Sequence, residues 1–414
     1  MSTPKPLSIA VVGGRGMPSR YSGVESIWEG LYPRLAAGGH RITVYCRPGV
    51  TEQSEYENVR LVTTGAPGGS SAETLSHTWT ALRHAARHGD ANGRPFDVVA
   101  LHALPCQLFA RQARRAARVV ISHVHGLDWQ RAKWRNTPLG LGAKIIRAGE
   151  RQMVRHATAV AVCAPNLVDY YRDTYGLETT TLRNGIHVDD QTPRNERAKV
   201  LAKLGLTPDR YVVGVGRLVE EKRTHDLVAA HARLAAVEGL EDVKLAIVGE
   251  GPESPWLAKL RATAGSTVVF AGHQSGDDLE QLFRNAGCYA TASELEGLPM
   301  SVLEAMERRA CVIASDIPPH RLMLGEAGTP EMLFPVGDVA GLADRLRRVL
   351  ERPTLRYQLA DLQRAHVRAE YSWDVLAAKT AEFYRSTVAS AASRTDGARN
   401  VMSTATGYAS STAA

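Results

Sequence analysis

One alternation, occurring twice, constrains the fold of this 414-residue chain more than any other feature. Leu7–Val12, Arg41–Cys46, Arg60–Thr64, Phe96–Leu101, Val119–Val124 and Ala159–Cys163 are short apolar runs of strand length, and helical patterns such as Val24–Ala37 and Ala72–Arg87 separate several of them. Strands connected through helices run parallel, so the pattern predicts βα units and an α/β sheet. Thr179–Leu182 then meets Asn184-Gly185, a turn signal, and residues 188–195 are polar, contain Pro193 and read as a linker. The alternation starts again with strands at Tyr211–Val215, Lys244–Val248, Thr267–Phe270, Cys288–Ala292, Cys311–Ala314 and Met332–Phe334. Helices are expected between them at His225–Glu238, Trp256–Ala264, Asp277–Ala286, Met300–Arg309 and Ala340–Glu351. The expectation is two Rossmann-like, doubly wound domains, 1–190 and 191–370, facing a cleft at the carboxyl ends of their strands. A last helix is expected over 371–388. The Ser/Thr/Ala/Gly-rich tail 389–414 lacks core-forming residues and is expected to be disordered.

At roughly 100–200 residues per domain the length suits two domains, and a composition 44% hydrophobic and 22% charged supplies core for both. The five cysteines are far apart, form no CxxC pair and lie in or beside apolar runs, which fits buried free thiols in a reducing compartment. Met1-Ser-Thr-Pro-Lys-Pro leads straight into the first strand with no secretory apolar region, so a cytoplasmic protein is expected. The net charge is +7, and Arg111–Arg155 alone holds eleven Lys and Arg against two acids. That segment is either a solvated helix face or a patch for an anionic partner, such as a membrane surface or a phospholipid-linked carrier.

Four stretches carry chemistry. The loop after the first strand contains Gly14-Arg15-Gly16, whose glycines let backbone approach a phosphate or a sugar, or simply make a tight turn. As a dinucleotide fingerprint it is poor: the third glycine is misplaced and the second strand ends Tyr45-Cys46-Arg47, without a ribose-binding acid. His123-Val124-His125-Gly126-Leu127-Asp128-Trp129 lies at the cleft-facing end of a strand, where His125 either hydrogen-bonds a sugar hydroxyl or is a structural histidine, and His123 is read as pointing the other way. Metal binding is not expected there, because no third ligand sits at a useful spacing. After the first strand of the second domain, Gly216-Arg217-Leu218-Val219-Glu220-Glu221-Lys222 places two cations within one loop, suited to a diphosphate.

In the fourth stretch, Glu296-Gly297-Leu298-Pro299 breaks regular structure and a helix begins near Met300, since proline suits a first helical turn. The N–H groups of Met300, Ser301 and Val302 then form an anion site, with the Glu296 and Glu304 carboxylates on either side to accept from hydroxyls. A ligand with phosphates in its middle and hydroxyls at its ends, such as a nucleotide sugar, suits it. No DxD triplet that could hold a metal-bound diphosphate occurs anywhere in the chain.

Gly216-Arg217-Leu218 with Glu221-Lys222, and Glu296-Gly-Leu-Pro followed by Glu304, resemble the nucleotide-sugar domain of family 4 retaining glycosyltransferases of GT-B fold. Gly14-Arg15-Gly16-Met17-Pro18, Tyr21-Ser22-Gly23-Val24-Glu25, His125-Gly126-Leu127-Asp128-Trp129 and Arg131-Ala132-Lys133-Trp134 resemble a rhamnosyltransferase-type N-terminal domain. The resemblance covers about residues 7–388. It implies that Arg217 and Lys222 bind the donor diphosphate, Glu304 the ribose, Glu296 the donor sugar, and His125 the sugar near its reacting carbon. It further implies that the Gly14 and Gly16 backbone approaches the diphosphate or acceptor. Arg15, Tyr21, Gly23, Glu25, Asp128 and Trp129 are acceptor-side candidates, and the last helix crosses back onto the first domain. Ser22, where a second glycine is common, and His187, where an acid is frequent, depart from the pattern.

The expected activity is therefore transfer of a hexosyl or deoxyhexosyl group, with rhamnosyl suggested by the front half. The donor is a nucleoside-diphosphate sugar and the acceptor a hydroxyl, as in polysaccharide, glycolipid or natural-product synthesis. No cofactor or metal and no nucleic acid are expected. The protein is placed in the cytoplasm, with peripheral association at the inner membrane face through Arg111–Arg155 as one reading. An epimerase of the same fold, a dinucleotide-dependent oxidoreductase and a non-enzymatic binding module are the alternatives.

Overall fold

The computed structural model describes residues 5–18, 23–68, 73–127 and 140–407. The chain divides into two compact units, one formed by the part up to Arg183 with the part from Asp374, the other by Asn184–Trp373. The first division therefore falls before the polar linker, because Ile186 already pairs with the second unit: its N–H donates to the Tyr371 carbonyl (2.7 Å), and it accepts from the Trp373 N–H (3.2 Å).

The first unit is built on an eight-stranded sheet. Its strands are β1 Ser8–Val12, β2 Arg41–Cys46, β3 Glu55–Tyr56, β4 Val59–Thr63, β5 Phe96–His102, β6 Ala117–Val124, β7 Ala159–Val162 and β8 Thr180–Thr181. They lie in the order β3-β4-β2-β1-β5-β6-β7-β8, parallel except for the short edge strand β3. β1, β5 and β6 are buried nearly end to end, as parallel strands covered on both faces must be. Val12, Tyr45, Leu82, Phe96, Leu101 and Val120 share one core with the helix Glu73–His88. The strand order reverses between β1 and β5, so the loops leaving those two strands meet at the switch point where ligands of such sheets bind.

The second unit has a six-stranded, all-parallel sheet, with β9 Tyr211–Val215, β10 Lys244–Val248, β11 Val268–Gly272, β12 Cys288–Thr291, β13 Val312–Ser315 and β14 Leu333–Phe334 in the order β11-β10-β9-β12-β13-β14. Its order reverses between β9 and β12. The expected helix His225–Glu238 is shorter: it spans Thr224–Ala232, and a separate 3-10 turn follows at Leu234–Ala236.

Several helices lay outside the sequence expectations, the longest being Pro353–Tyr371. The last helix runs from Trp373 to Gly407 rather than stopping at 388. Alanine and serine are frequent there, and alanine forms helix without needing a core. Tyr384 of this helix is fully buried in the first unit, where its hydroxyl lies 2.7 Å from His123 Nε2. All five cysteines are buried, and none forms a disulfide. No helix among the described residues is long and apolar enough to cross a membrane.

Candidate active site

In the second unit the site is assembled where β9 and β12 end side by side. Backbone pairing continues past the end of β9: the Gly216 N–H donates to the Val248 carbonyl (3.0 Å) and the Leu218 N–H to the Glu250 carbonyl (2.9 Å). A Cβ on Gly249 would lie 2.0 Å from the Gly216 carbonyl oxygen, and one on Gly251 2.0 Å from that of Leu218, so only glycine permits this approach. Arg217 sits between the two rungs. It is exposed, and its guanidinium makes no hydrogen bond or ion pair with any described residue.

A 3-10 turn, Glu220–Lys222, follows, and the Glu294 N–H donates to the Glu221 carbonyl (3.0 Å). This tie joins the loop after β9 to the loop after β12. It brings Lys222 onto Glu296, where Nζ donates to Oε1, with the side chains 21% and 12% exposed. Burial alone would raise the Glu296 carboxyl. The Lys222 ammonium, with help from His320 and Ser293, instead holds it below its usual value. His320 is fully buried; its Nδ1 lies 2.9 Å from the Ser315 carbonyl oxygen, and the Ser315 hydroxyl donates to the Ser293 carbonyl (2.5 Å). Arg217, Lys222 and Ser293 line a small pocket at this switch point.

The helix Met300–Glu307 begins beside this pair. Pro299 precedes it in extended backbone and no side chain caps it, so its first N–H groups remain available, as the sequence suggested for Met300, Ser301 and Val302. Gly297 lies in the loop just before it. Ser301 also has a partner within the fold, because its Oγ is 3.0 Å from the Tyr289 hydroxyl.

Glu304, one turn into this helix, lines a cavity of about 340 Å³ with Asp189, Thr192, Asp277, Glu280 and Arg308, and the buried Tyr289 hydroxyl feels both its carboxylate and that of Glu296. Its carboxyl makes no hydrogen bond to a described residue. Burial pushes it up to about 7, Glu280 adds to the rise, and the nearby Arg308 opposes it.

In the first unit the glycine loop follows β1. A Cβ on Gly14 would lie 2.8 Å from the Trp28 ring, and one on Gly16, at φ +132°, 2.7 Å from Cys46 Sγ. The loop thus needs glycine for its own packing, whatever it binds. Gly13, at the start of the same loop, is tighter still: at φ +123° its Cβ would lie 2.1 Å from the His102 carbonyl oxygen. Glu25 is 2% exposed and accepts from the Arg15 N–H (2.8 Å). It ties the loop to the helix Gly23–Ala37 rather than presenting its carboxylate to an acceptor. Arg15 is exposed. Tyr21, Ser22, Asp128, Trp129 and the following Arg131–Trp134 lie outside the described residues, and Gly23 is described only as the first residue of its helix.

His125 is partly exposed just beyond the end of β6, and its Nε2 lies 2.9 Å from His102 Nδ1. His123 does not point away from it. The two rings are nearly parallel, with centroids 6.4 Å apart, and His102 stacks with both. Residues two apart on a strand share a face, so the opposite expectation misapplied the strand period. His102 was missed because the sequence reading ended the strand at Leu101. A histidine closing an apolar run was the available signal. Among the described residues no group of three His, Cys, Asp or Glu is placed to hold a metal ion.

Residues 196–366, which contain Arg217, Lys222, Glu296 and Glu304, match the family model for glycosyl transferases group 1, and residues 21–190, which contain His125, match the model for glycosyltransferase family 4. The chain carries the two domains of a GT-B glycosyltransferase. This glycosyltransferase is 29% identical over 391 residues to the glycogen synthase of Mycobacterium tuberculosis, covering 86% of this chain and 88% of that one. It is 26% identical over 298 residues to a GDP-mannose-dependent monoacylated alpha-(1-6)-phosphatidylinositol monomannoside mannosyltransferase of Corynebacterium glutamicum, covering 66% and 72%. Its fold is similar to that of HepE of Anabaena, solved with UDP-glucose, at a TM-score of 0.72, 18% identity and coverage of 92% of this chain and all of that one.

Proposed function

We propose that this glycosyltransferase transfers a hexosyl or deoxyhexosyl group from a nucleoside-diphosphate sugar to a hydroxyl acceptor, with retention of configuration and without a metal. The observation that carries the reading is the Lys222–Glu296 pair at the β9/β12 switch point, with exposed Arg217 on one side and the uncapped Met300 helix on the other. Departure of the diphosphate leaves negative charge on its oxygens and positive charge on the sugar ring. Arg217, Lys222 and the helix N–H groups stabilise the first, and preorganised donors of this kind are each worth roughly 10²–10³ in rate. Glu296, kept ionised by Lys222, accepts from the sugar hydroxyls, Glu304 from the ribose, and His125 contacts the sugar near C1.

For retention, the C1–O bond to diphosphate breaks and its electron pair leaves with the phosphate. The acceptor oxygen bonds to C1 on the same face, and its proton passes to a departing phosphate oxygen. Three observations support a nucleotide donor and metal-free chemistry: the two relatives' names, the absence of a DxD triplet, and the cations already in place. A rhamnosyl donor carrying thymidine diphosphate follows from the front-half resemblance.

The test is a thermal-shift screen of nucleoside diphosphates and their sugars, followed by mass spectrometry of acceptor mixtures with EDTA present. Lys222→Ala and Glu296→Ala should each lower transfer by about 10²-fold or more while remaining folded. Wild-type turnover in both would sink the reading. Epimer formed from donor alone would point instead to an epimerase, and binding of NAD(P) to an oxidoreductase.

The acceptor is proposed to be lipid-linked at an anionic membrane surface. In the helix Leu141–His156, Lys144, Arg147, Arg151 and Arg155 are all exposed at spacings of three and four, which makes a cationic stripe. Co-flotation with vesicles containing anionic lipid, lost in Lys144→Glu/Arg151→Glu, is the expected result. Protein left in solution with such vesicles would reject it.

A further inference from the structure

Behind His125, four ring side chains lie in one polar row with it, joined by hydrogen bonds on either side of the Tyr32 and Tyr384 hydroxyls. His123 Nε2 is 2.7 Å from the Tyr384 hydroxyl, and the Tyr384 and Tyr32 hydroxyls are near enough to influence each other's ionisation. Tyr32 Oη is 2.6 Å from His102 Nε2, and His102 Nδ1 is 2.9 Å from His125 Nε2. The four inner members are at most 6% exposed, Trp28 packs edge-on to His102 at 5.3 Å, and only His125 reaches partial exposure. The chain leaves His102 through Ala103, an alanine held at φ +63°, which is uncommon for a residue with a Cβ.

Burial keeps the inner rings neutral: it drives the pKa values of His102 and His123 down and those of Tyr32 and Tyr384 up. A neutral imidazole has one donor and one acceptor nitrogen, and each phenol donates once. Protons along such a chain must therefore all point the same way. In one polarity His102 Nδ1–H donates to His125 Nε2, and His125 carries its proton on Nδ1. In the other, His125 Nε2–H donates inward, and Nδ1 is a bare acceptor. A mixed arrangement would leave two donors or two lone pairs facing each other in a buried site, at about 1–3 kcal/mol for each unsatisfied group.

We propose that Tyr384, Tyr32 and His102 are positioning residues for His125: they hold its ring by Nε2 and set, as one unit, whether Nδ1 offers a proton or a lone pair. His125 Nδ1 is buried in this structure; where a sugar hydroxyl reaches it, the shared polarity decides whether that hydroxyl accepts or donates. That consequence rests on the reading of His125 as a sugar contact; the hold on Nε2 does not.

The experiment uses the full chain with ¹⁵N-labelled histidine and long-range ¹H–¹⁵N correlation of the ring nitrogens at pH 7.5, with His125 assigned by its loss in His125→Gln. Tyr32→Phe cuts the chain in its middle while keeping the ring, and Tyr384→Phe cuts it at the far end if the first variant does not fold. The expected result is a shift of the His125 ring nitrogens between protonated-type and bare-type positions in a folded variant. It should be accompanied by about a tenfold fall in kcat with KM within about twofold, read as nucleoside diphosphate released from UDP-glucose, GDP-mannose and thymidine-diphosphate rhamnose. Unchanged His125 nitrogens in both variants would overturn the proposal, and so would altered nitrogens with wild-type kcat. Wild-type turnover in His125→Gln would instead overturn the sugar-contact reading, even where the tautomer coupling is found.

Discussion

At the scale of single residues, the two glutamates that looked equivalent have opposite electrostatics. Glu296 has a lysine on it and stays ionised, whereas Glu304 faces a cavity rich in acids and titrates near 7. The sign follows directly. Native Glu304 holds its proton more tightly than the unfolded chain does between about pH 4.5 and 7, so its contribution to stability is present at acid pH and is lost as the pH rises through about 7. Glu304→Gln should therefore raise the melting temperature by a few degrees at pH 8.5 and change it little at pH 5. An equal effect at both values would show that Glu304 titrates normally. Neither behaviour is visible in the spacing of Glu296 and Glu304, because a one-dimensional interval does not say which cation sits 74 residues away.

At the scale of elements, the Met300 helix is held from behind. Glu307 at its last turn is wholly buried and takes a bidentate pair from Arg368 Nε and Nη2 at 2.9 and 2.6 Å, with Arg364 3.6 Å away. Arg368 lies on the helix Pro353–Tyr371, whose Gln363 also pairs with both backbone groups of Val312 in β13, at 2.8 and 3.1 Å. This helix, which the sequence expectations did not include, therefore fixes the direction in which the Met300 helix points. Arg368→Ala strands a buried carboxylate. Breaking a buried pair costs about 3–5 kcal/mol, and the remaining Arg364 should bring the loss to about 2–3 kcal/mol. Urea unfolding measures it, and Arg368→Ala with Glu307→Gln should recover part of the loss. The helix was hard to read in advance because Arg356 and Gln363, residue types that also populate solvent-facing helices, share its buried face with Leu359, Ala360, Val367 and Tyr371 and interrupt the apolar spacing.

At the scale of the whole molecule, buried neutral histidines govern the response to acid. His77, His102, His123 and His320 are each at most 6% exposed, and burial lowers all four; His77 and His320 fall to about 4. Between that value and the ordinary 6.5 the unfolded chain binds more protons than the native one, so stability rises with pH across this window and falls on acidification. Glu304 opposes this trend over part of the same range, but four groups outweigh one. The denaturation midpoint should therefore drop steeply from pH 6.5 to pH 4.5. A flat profile would mean that these histidines are protonated in the native state. His320→Asn should flatten the slope by about one proton.

The sequence by itself determined the architecture, since parallel strands joined by helices have few ways to pack and the apolar runs mark nearly every strand. It also placed Arg217, Lys222, Glu296 and the Met300 helix start at strand ends, where a doubly wound sheet binds its ligands. Only the tertiary structure decided which of these groups meet. It paired Lys222 with Glu296 through the Glu294–Glu221 backbone tie, set Glu304 near Arg308 and Glu280, turned Glu25 inward, and set His102, Tyr32 and Tyr384 behind His125. The physical reason is the same throughout. Periodicity is local and survives in one dimension, whereas a hydrogen bond or an ion pair between side chains far apart in the chain exists only once the sheets have brought their loops together.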